Sequence, residues 1–271
     1  MALVNDVKRE INAKIVYVGP KGAGKTTAIR YIFRKIKPEC RSELKTSQMG
    51  DHQLVFFDFA YPQPVGPGGY TIRFHLYTIL IGNGAAPPWK MLLKGADGLV
   101  FMADSAPERL EDTVASCAQL YEALSHYGIG TDSIPLSIQC NKRDLADALP
   151  VPRIVADTFP HLAGAAMPVT ALTGEGVLDG LQKVVRAILH NLGQTAAGTA
   201  EVTTEELTVA DRQAGPVPPA PAGGAVASGF SVESAGEPVM LEDGMLSVPL
   251  RLVDASGACT AEFRLAITIL S

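Results

Sequence analysis

Hydrophobic and polar positions in the first two thirds of the chain switch repeatedly between a two-residue and a 3.6-residue rhythm. Residues 14–18 form a short apolar strand, and a helix opening at Lys25 carries Ile29, Ile32, Phe33 and Ile36 on one face. Residues 53–59 and 71–80 read as two strands; in the second, Ile72, Phe74 and Leu76 alternate with Arg73, His75 and Tyr77. Only a loop marked by Pro62, Pro64, Gly66, Pro67, Gly68 and Gly69 separates them, which predicts an antiparallel pair. After a break at Gly82, Gly84, Pro87 and Pro88 comes a short helix up to Lys94, then a continuous apolar run over 98–104 suited to a buried parallel strand. A long amphipathic helix starts at Pro107, passes Val114, Cys117, Leu120, Tyr121 and Leu124, and ends near Gly128. Residues 134–140 and 167–169 are further strands, and 177–192 is a closing helix. This alternation predicts an α/β domain over residues 1–193, a mostly parallel sheet flanked by helices.

Residues 194–228 change character. Ala, Thr, Gly, Pro and Glu dominate, ending in a proline-dense run from Pro216 to Pro221, and the stretch reads as a linker. In residues 229–271 the period-two pattern returns over 246–252 and 262–270, with Asp254-Ala255-Ser256-Gly257 as a turn between them. This predicts a small C-terminal β-hairpin or meander, with residues 230–233 as a third strand. So small a β module is marginal alone. It is expected to dock on the first domain, pair with itself or add an edge strand to a partner.

At 271 residues the chain is long for one α/β unit, consistent with a domain plus an appendage. The net charge of −5 is uneven: residues 194–271 hold three arginines, no lysine and ten acids, leaving +2 for residues 1–193. Neither part has a basic stripe, which argues against nucleic acid or an anionic membrane as the main partner. Cys40, Cys117, Cys140 and Cys259 show no metal-binding spacing and read as small buried residues. No apolar run reaches the length of a membrane span and no signal or lipidation pattern is present, so a cytoplasmic location is expected.

The chemistry starts where the first strand meets the first helix. Gly19, four residues, then Gly24-Lys25-Thr26 fits the G-x-x-x-x-G-K-[ST] phosphate loop. Glycines let the backbone curl so that successive N–H groups face an anion, and the helix N-terminus adds its positive end. The residues expected around phosphate are Gly19, Lys21, Gly22, Ala23, Gly24, Lys25, Thr26 and Thr27, with the Thr26 hydroxyl as a ligand for Mg²⁺. Further along, Asn141-Lys142-Arg143-Asp144 follows a strand at the edge where ligands of open α/β sheets gather. The Asp144 carboxylate can accept paired hydrogen bonds from guanine N1–H and its N2 amine, whereas adenine would leave it without partners. The Lys142 stem can lie across the base, and Asn141 can tie this loop to the phosphate loop. After the last strand, the Thr170-Ala171-Leu172 turn is expected to aim the Ala171 N–H at the base carbonyl, with Leu172 beside it.

Together these motifs resemble the Ras-like P-loop NTPase set. The words Phe56-Phe57-Asp58-Phe59, Phe74-His75-Leu76-Tyr77-Thr78, Leu93-Lys94-Gly95-Ala96-Asp97-Gly98 and Asn141-Lys142-Arg143-Asp144-Leu145 are similar to the MglA-type small GTPases, bacterial polarity and motility switches. The resemblance covers about residues 11–193. It implies GTP/GDP with Mg²⁺, a roadblock/longin-type dimer as regulator, and Thr78 in place of the Asp of D-x-x-G, as a second residue near the metal.

The departures from that family fall on hydrolysis. Its Thr-Val-Pro-Gly-Gln stretch reads Thr78-Ile79-Leu80-Ile81-Gly82 here, so the γ-phosphate-sensing glycine becomes Ile81 and the water-orienting glutamine Gly82. Its catalytic arginine aligns with Gln53, its Mg²⁺-binding threonine with Leu54, and Lys21 stands at a usual glycine. Lost positioning groups remove orders of magnitude of rate, so very slow hydrolysis is expected. Asn83, by a one-residue shift, or Lys21, as a built-in cation, are the candidate catalytic replacements. The sequence thus admits a slow or partner-dependent GTPase switch (a weak hydrolase) and a pseudo-GTPase scaffold that recruits a partner through its β module. It disfavours an ATPase or kinase, in which Asp144 would face adenine.

Overall fold

The computed structural model describes residues 2–82, 87–130, 133–193, 230–234, 239–240, 245–254 and 259–268. Asn83, the linker over 194–228 and the turn residues 255–257 lie outside these. The chain divides into two compact units, Met1–Ala220 and Pro221–Ser271.

In the first unit the elements follow in the order β1 (Leu3–Asn5), β2 (Glu10–Val18), α1 (Lys25–Lys35), β3 (Lys45–Met49), β4 (His52–Ala60), β5 (Thr71–Leu80), α2 (Trp89–Leu93), β6 (Gly98–Asp104), α3 (Leu110–His126), β7 (Leu136–Asn141), α4 (Val151–Thr158), β8 (Ala166–Pro168) and α5 (Val177–Gly193). The sheet order is β3-β4-β5-β2-β6-β7-β8, with the short β1 also paired to β2. β5, β2, β6, β7 and β8 run parallel, while β4 and β5 are antiparallel through Gln53↔Leu80 to Ala60↔Arg73. The fold is the expected Ras-like P-loop arrangement, a mostly parallel sheet flanked by helices.

Side-chain alternation assigns the two faces. On one, Tyr17, Phe57, Phe59, Phe74, Leu76, Val100 and Met102 pack under α1 and α5, whose inward residues include Ile29, Ile32, Val184 and Ile188. On the other, Val16, Val18, Leu99, Phe101, Ala103, Ile138 and Cys140 pack under α2, α3 and α4. β6 sends residues to both cores, which is why residues 98–104 are apolar without alternation. Cys40, Cys117 and Cys140 are buried free thiols; burial pushes Cys117 up to about 12 and Cys140 up to about 11, so both stay protonated and inert.

Several elements were not legible. β2 begins at Glu10, its first half alternating Ile11 and Ala13 inward against Asn12 and Lys14. The edge strand β3, Lys-Thr-Ser-Gln-Met, has no apolar face and is held by its ladder to β4. Residues 107–109 form a 3-10 turn before α3 rather than its first turn. His75 bridges three strands, 2.6 Å from Asp58 Oδ1 and 2.8 Å from Asn12 Oδ1, a packed polar histidine rather than a base. Trp89, half-buried at the start of α2, packs on the second core.

In the second unit, β9 (Phe230–Ser234), β10 (Val239–Met240), β11 (Met245–Asp254) and β12 (Cys259–Thr268) form an antiparallel sheet. β12 lines one edge of β11; β9 and β10 share the other. β11 is thus the central strand of this unit, paired along both of its edges.

Candidate functional site

The C-terminal ends of β2, β6 and β7 meet at one edge of the sheet, and the loops that leave them form the site. The phosphate loop curls tightly because three glycines, Gly19, Gly22 and Gly24, take positive φ in it. Gly19 has φ +133° and packs against β6, where a Cβ would lie 2.2 Å from the Met102 carbonyl oxygen. Gly24 has φ +94°, and its Cβ would lie 2.1 Å from Asn141 Nδ2. Such backbone is open to glycine and costly for other residues. Gly24 caps α1, whose first turn holds no acid and no capping side chain, so its N–H groups and dipole are left for an anion.

Lys25 lies under this curl, 6% exposed, and donates to the carbonyls of Gly19 at 2.8 Å and Pro20 at 2.6 Å. Burial pushes its ammonium down to about 8. An ammonium has three N–H groups, so one remains beyond the two carbonyls. Thr26, also buried, is the second residue of α1, and the half-buried Thr27 follows it. Lys21 and Gly22 stand exposed at the tip of the loop.

The loop expected to read the base leaves β7 at Asn141. Asn141 is 2% exposed; its Nδ2 donates to the Ala23 carbonyl at 2.7 Å, and its Oδ1 accepts the Ala171 N–H at 2.8 Å. The expected tie between the two loops is therefore present. The Ala171 amide, expected to face a base carbonyl, is instead engaged by Asn141. The neighbouring Leu172 amide makes no hydrogen bond among the described residues, and the Leu172 side chain is partly exposed. Lys142 takes φ +68°, a left-handed conformation uncommon for a residue with a side chain. Its Nζ donates to Asp104 Oδ2 at 2.6 Å. Asp144 is exposed, and its carboxylate has no hydrogen bond or ion pair among the described residues, so its acceptor positions face outward.

Two residues that the sequence did not single out join these loops. Asp104, the buried last residue of β6, accepts the Ala106 N–H at 3.1 Å with Oδ1 and the Lys142 ammonium with Oδ2. Arg109, in the 3-10 turn before α3, donates from Nη2 to the Lys21 carbonyl at 2.7 Å. An acid closing an otherwise apolar buried strand is the one sequence signal that marks Asp104.

On the opposite side of the phosphate loop, β5 pairs with β2 through Tyr17↔Thr78, and the buried Thr78 hydroxyl donates to the Tyr17 carbonyl at 3.2 Å. β5 continues through Ile79 and Leu80, which are laddered to Leu54 and Gln53 of β4. The residues aligned with the family's arginine and threonine are therefore strand residues here. Gly82 donates its N–H to His52 Nδ1 at 3.4 Å, and a Cβ on it would lie 2.2 Å from the Asp51 carbonyl oxygen.

The donor set fits a nucleotide with Mg²⁺. A curled run of amides, a buried lysine and an uncapped helix start suit a polyphosphate, and Mg²⁺ on phosphates needs only one or two protein oxygens. Among the described residues no cluster of three His, Cys, Asp or Glu could hold a metal without such help. Nor is any described helix long and apolar enough to cross a membrane.

No protein-family model matches the chain. Among curated proteins, it is 38% identical over 193 residues to the mutual gliding-motility protein MglA of Myxococcus xanthus, covering 71% of this chain and 98% of that one. It is 25% identical over 194 residues to the ADP-ribosylation factor-like protein 4D of Bos taurus, covering 68% and 87%. With the human ADP-ribosylation factor-like protein 4A it shares 26% over 120 residues, or 42% and 58% of the two chains. On the ground of this 38% identity, which spans 98% of MglA, the chain belongs to the MglA-type, Ras-like small GTPases.

Proposed function

We propose that the site binds guanine nucleotide and Mg²⁺ and that the protein is a regulatory switch whose GTP hydrolysis is slow or dependent on a partner. The observation that carries this reading is Asn141, which holds Ala23 of the phosphate loop and Ala171 of the last loop at once, leaving Asp144 outside with its acceptors unengaged. In this reading Gly19, Lys21, Gly22, Ala23, Gly24, Lys25, Thr26 and Thr27 surround the phosphates. Asp144 selects guanine, the Lys142 stem covers the base, and the turn at Ala171 and Leu172 closes the pocket, with the Leu172 amide toward the base carbonyl. Thr26 and Thr78 stand on the Mg²⁺ side; bound Mg²⁺ would neutralise developing phosphate charge. The relative from Myxococcus xanthus is named for gliding motility, which supports a role in cell motility or polarity as part of this reading. A roadblock/longin-type regulator dimer is the partner the family suggests.

A second reading is a hydrolysis-deficient pseudo-GTPase scaffold that recruits a protein through residues 229–271. The pairing of Gln53 and Leu54 with Leu80 and Ile79 favours it, since those β4 positions carry neither the family's arginine nor its threonine. Denaturing the purified full chain and identifying the released nucleotide separates the readings. GDP marks turnover and GTP a stalled site, while an empty protein with no affinity for labelled GTP or GDP defeats both nucleotide-bound readings. Partner capture with GTP analogue against GDP then tests for a switch, which requires differential affinity between its states.

A further inference from the structure

We propose that Arg109 and Asp104 form a positioning bridge between the phosphate loop and the base-reading loop, so that the two ends of a bound nucleotide are held by one connected unit. The inference rests on the guanine-nucleotide reading of the site and adds residues outside both sequence motifs.

Arg109 grips the outer side of the phosphate loop. In a curled loop whose N–H groups face inward to an anion, carbonyls turn outward, and Arg109 Nη2 takes the Lys21 carbonyl at 2.7 Å. The same nitrogen lies 4.0 Å from where a Gly22 Cβ would be, so the guanidinium lies alongside the next residue as well. Nη1 pairs with Asp112 in the first turn of α3 at 2.5 Å, and Nε faces Asp104 Oδ2 at 3.9 Å. One planar fork thus addresses a loop carbonyl and two carboxylates, a geometry that lysine cannot copy.

Asp104 supplies the other half. It is fully buried at the end of β6, the strand buried on both faces, and its own N–H donates to Thr113 Oγ1 at 3.3 Å. A buried carboxylate is costly unless paired. Here Lys142 pairs with it closely and Arg109 approaches the same oxygen from the next turn. Lys142 is also the residue with left-handed backbone in the base-reading loop, a conformation that persists where surroundings enforce it. Asp104 holds its ammonium, alongside the Leu145 N–H that donates to the Lys142 carbonyl at 3.2 Å. The path therefore runs from Lys21 through Arg109 and Asp104 to Lys142, beside the Asn141 tie, and its side-chain contacts are distinct from that tie.

The test uses the full chain with fluorescent GDP. Release rates, and the affinity ratio of GDP to GMP by competition, are measured for wild type, Arg109→Gln, Arg109→Lys, Asp104→Asn and the Gln/Asn double variant. Losing one hydrogen bond to a charged group predicts release faster by roughly tenfold or more for Arg109→Gln. Because its contact is with the phosphate loop, the GDP:GMP ratio should fall with it. Arg109→Lys should keep the charge without restoring the rate. Asp104→Asn should weaken GDP and GMP alike, and the double variant should be less affected than the product of the two singles. Unchanged release and an unchanged GDP:GMP ratio in Arg109→Gln, or strictly multiplicative effects in the double variant, overturn the bridge while leaving the function intact. Should Asp104→Asn not fold, the partly exposed Arg109 variants decide by themselves. Wild type that fails to bind labelled GDP instead removes the parent reading and this inference together.

Discussion

Asn141 and Ala23 are 118 residues apart in sequence and joined by a 2.7 Å hydrogen bond from a buried side-chain amide to a loop carbonyl. The bond makes the phosphate loop and the base-reading loop parts of one wall. Asn141→Ala leaves the Ala23 carbonyl and the Ala171 N–H without their partner, a loss of about 1–3 kcal/mol for buried groups. The expected result is a lower thermal midpoint together with weaker binding of both GDP and GTP. Unchanged calorimetric affinity would count against the shared wall.

Gly24→Ala attacks the same contact from the other side. The new methyl would meet Asn141 Nδ2 at 2.1 Å on backbone with φ +94°, so clash and strain add. Affinity for GDP is expected to drop by at least roughly a hundredfold, given strain of about 1–3 kcal/mol on top of the lost bond. Titration of the folded variant checks it.

Lys25 gives the site a pH signature. Burial lowers its ammonium to about 8, whereas a neighbouring polyphosphate favours the charged form and raises it again. Below about pH 8 the free lysine is already charged and affinity is flat. Above it, binding must take up a proton, and affinity falls by up to about tenfold per pH unit. Stability of the nucleotide-free protein runs the opposite way. The folded pKa lies below the unfolded value of about 10.4, so the unfolded chain holds more protons between the two, and stability rises with pH across that window. Calorimetry in buffers of different ionisation enthalpy, with thermal unfolding over the same range, should show both slopes and their loss in Lys25→Met.

Asp144→Asn replaces two acceptors by one acceptor and one donor, so the guanine edge no longer finds two acceptors. The expected outcome is a loss of guanine preference of about a hundredfold or more, on the scale of sites that hydrogen-bond a polar ligand edge. Competition of GDP against ADP measures it; an unchanged ratio removes Asp144 from base selection.

Hydrolysis should be slow and should resist simple repair. Placing glutamine at the family's position, Gly82→Gln, would put a Cβ 2.2 Å from the Asp51 carbonyl oxygen. The variant is expected to show no gain in single-turnover rate, because the backbone there is packed against the β3–β4 turn. A rate rising toward that of an ordinary small GTPase would show that this segment reorganises freely.

The chain's own sequence determined the strand–helix alternation of the first unit, apart from β1, β3 and α4, and the phosphate and base motifs, because each rests on local periodicity or on fixed spacing within a few residues. The antiparallel β4–β5 pair was legible for the same reason, through its short connecting loop. Only the tertiary structure decided what long-range contacts decide. It drew Asn141 to Ala23 and engaged the Ala171 amide with Asn141. It also placed Asp104 and Arg109 between the two loops. β3 and the first half of β2 escaped the sequence because their stability comes from neighbours rather than from an apolar face of their own. Arg109 escaped because its partner is a backbone carbonyl 88 residues away, and a carbonyl carries no sequence signature.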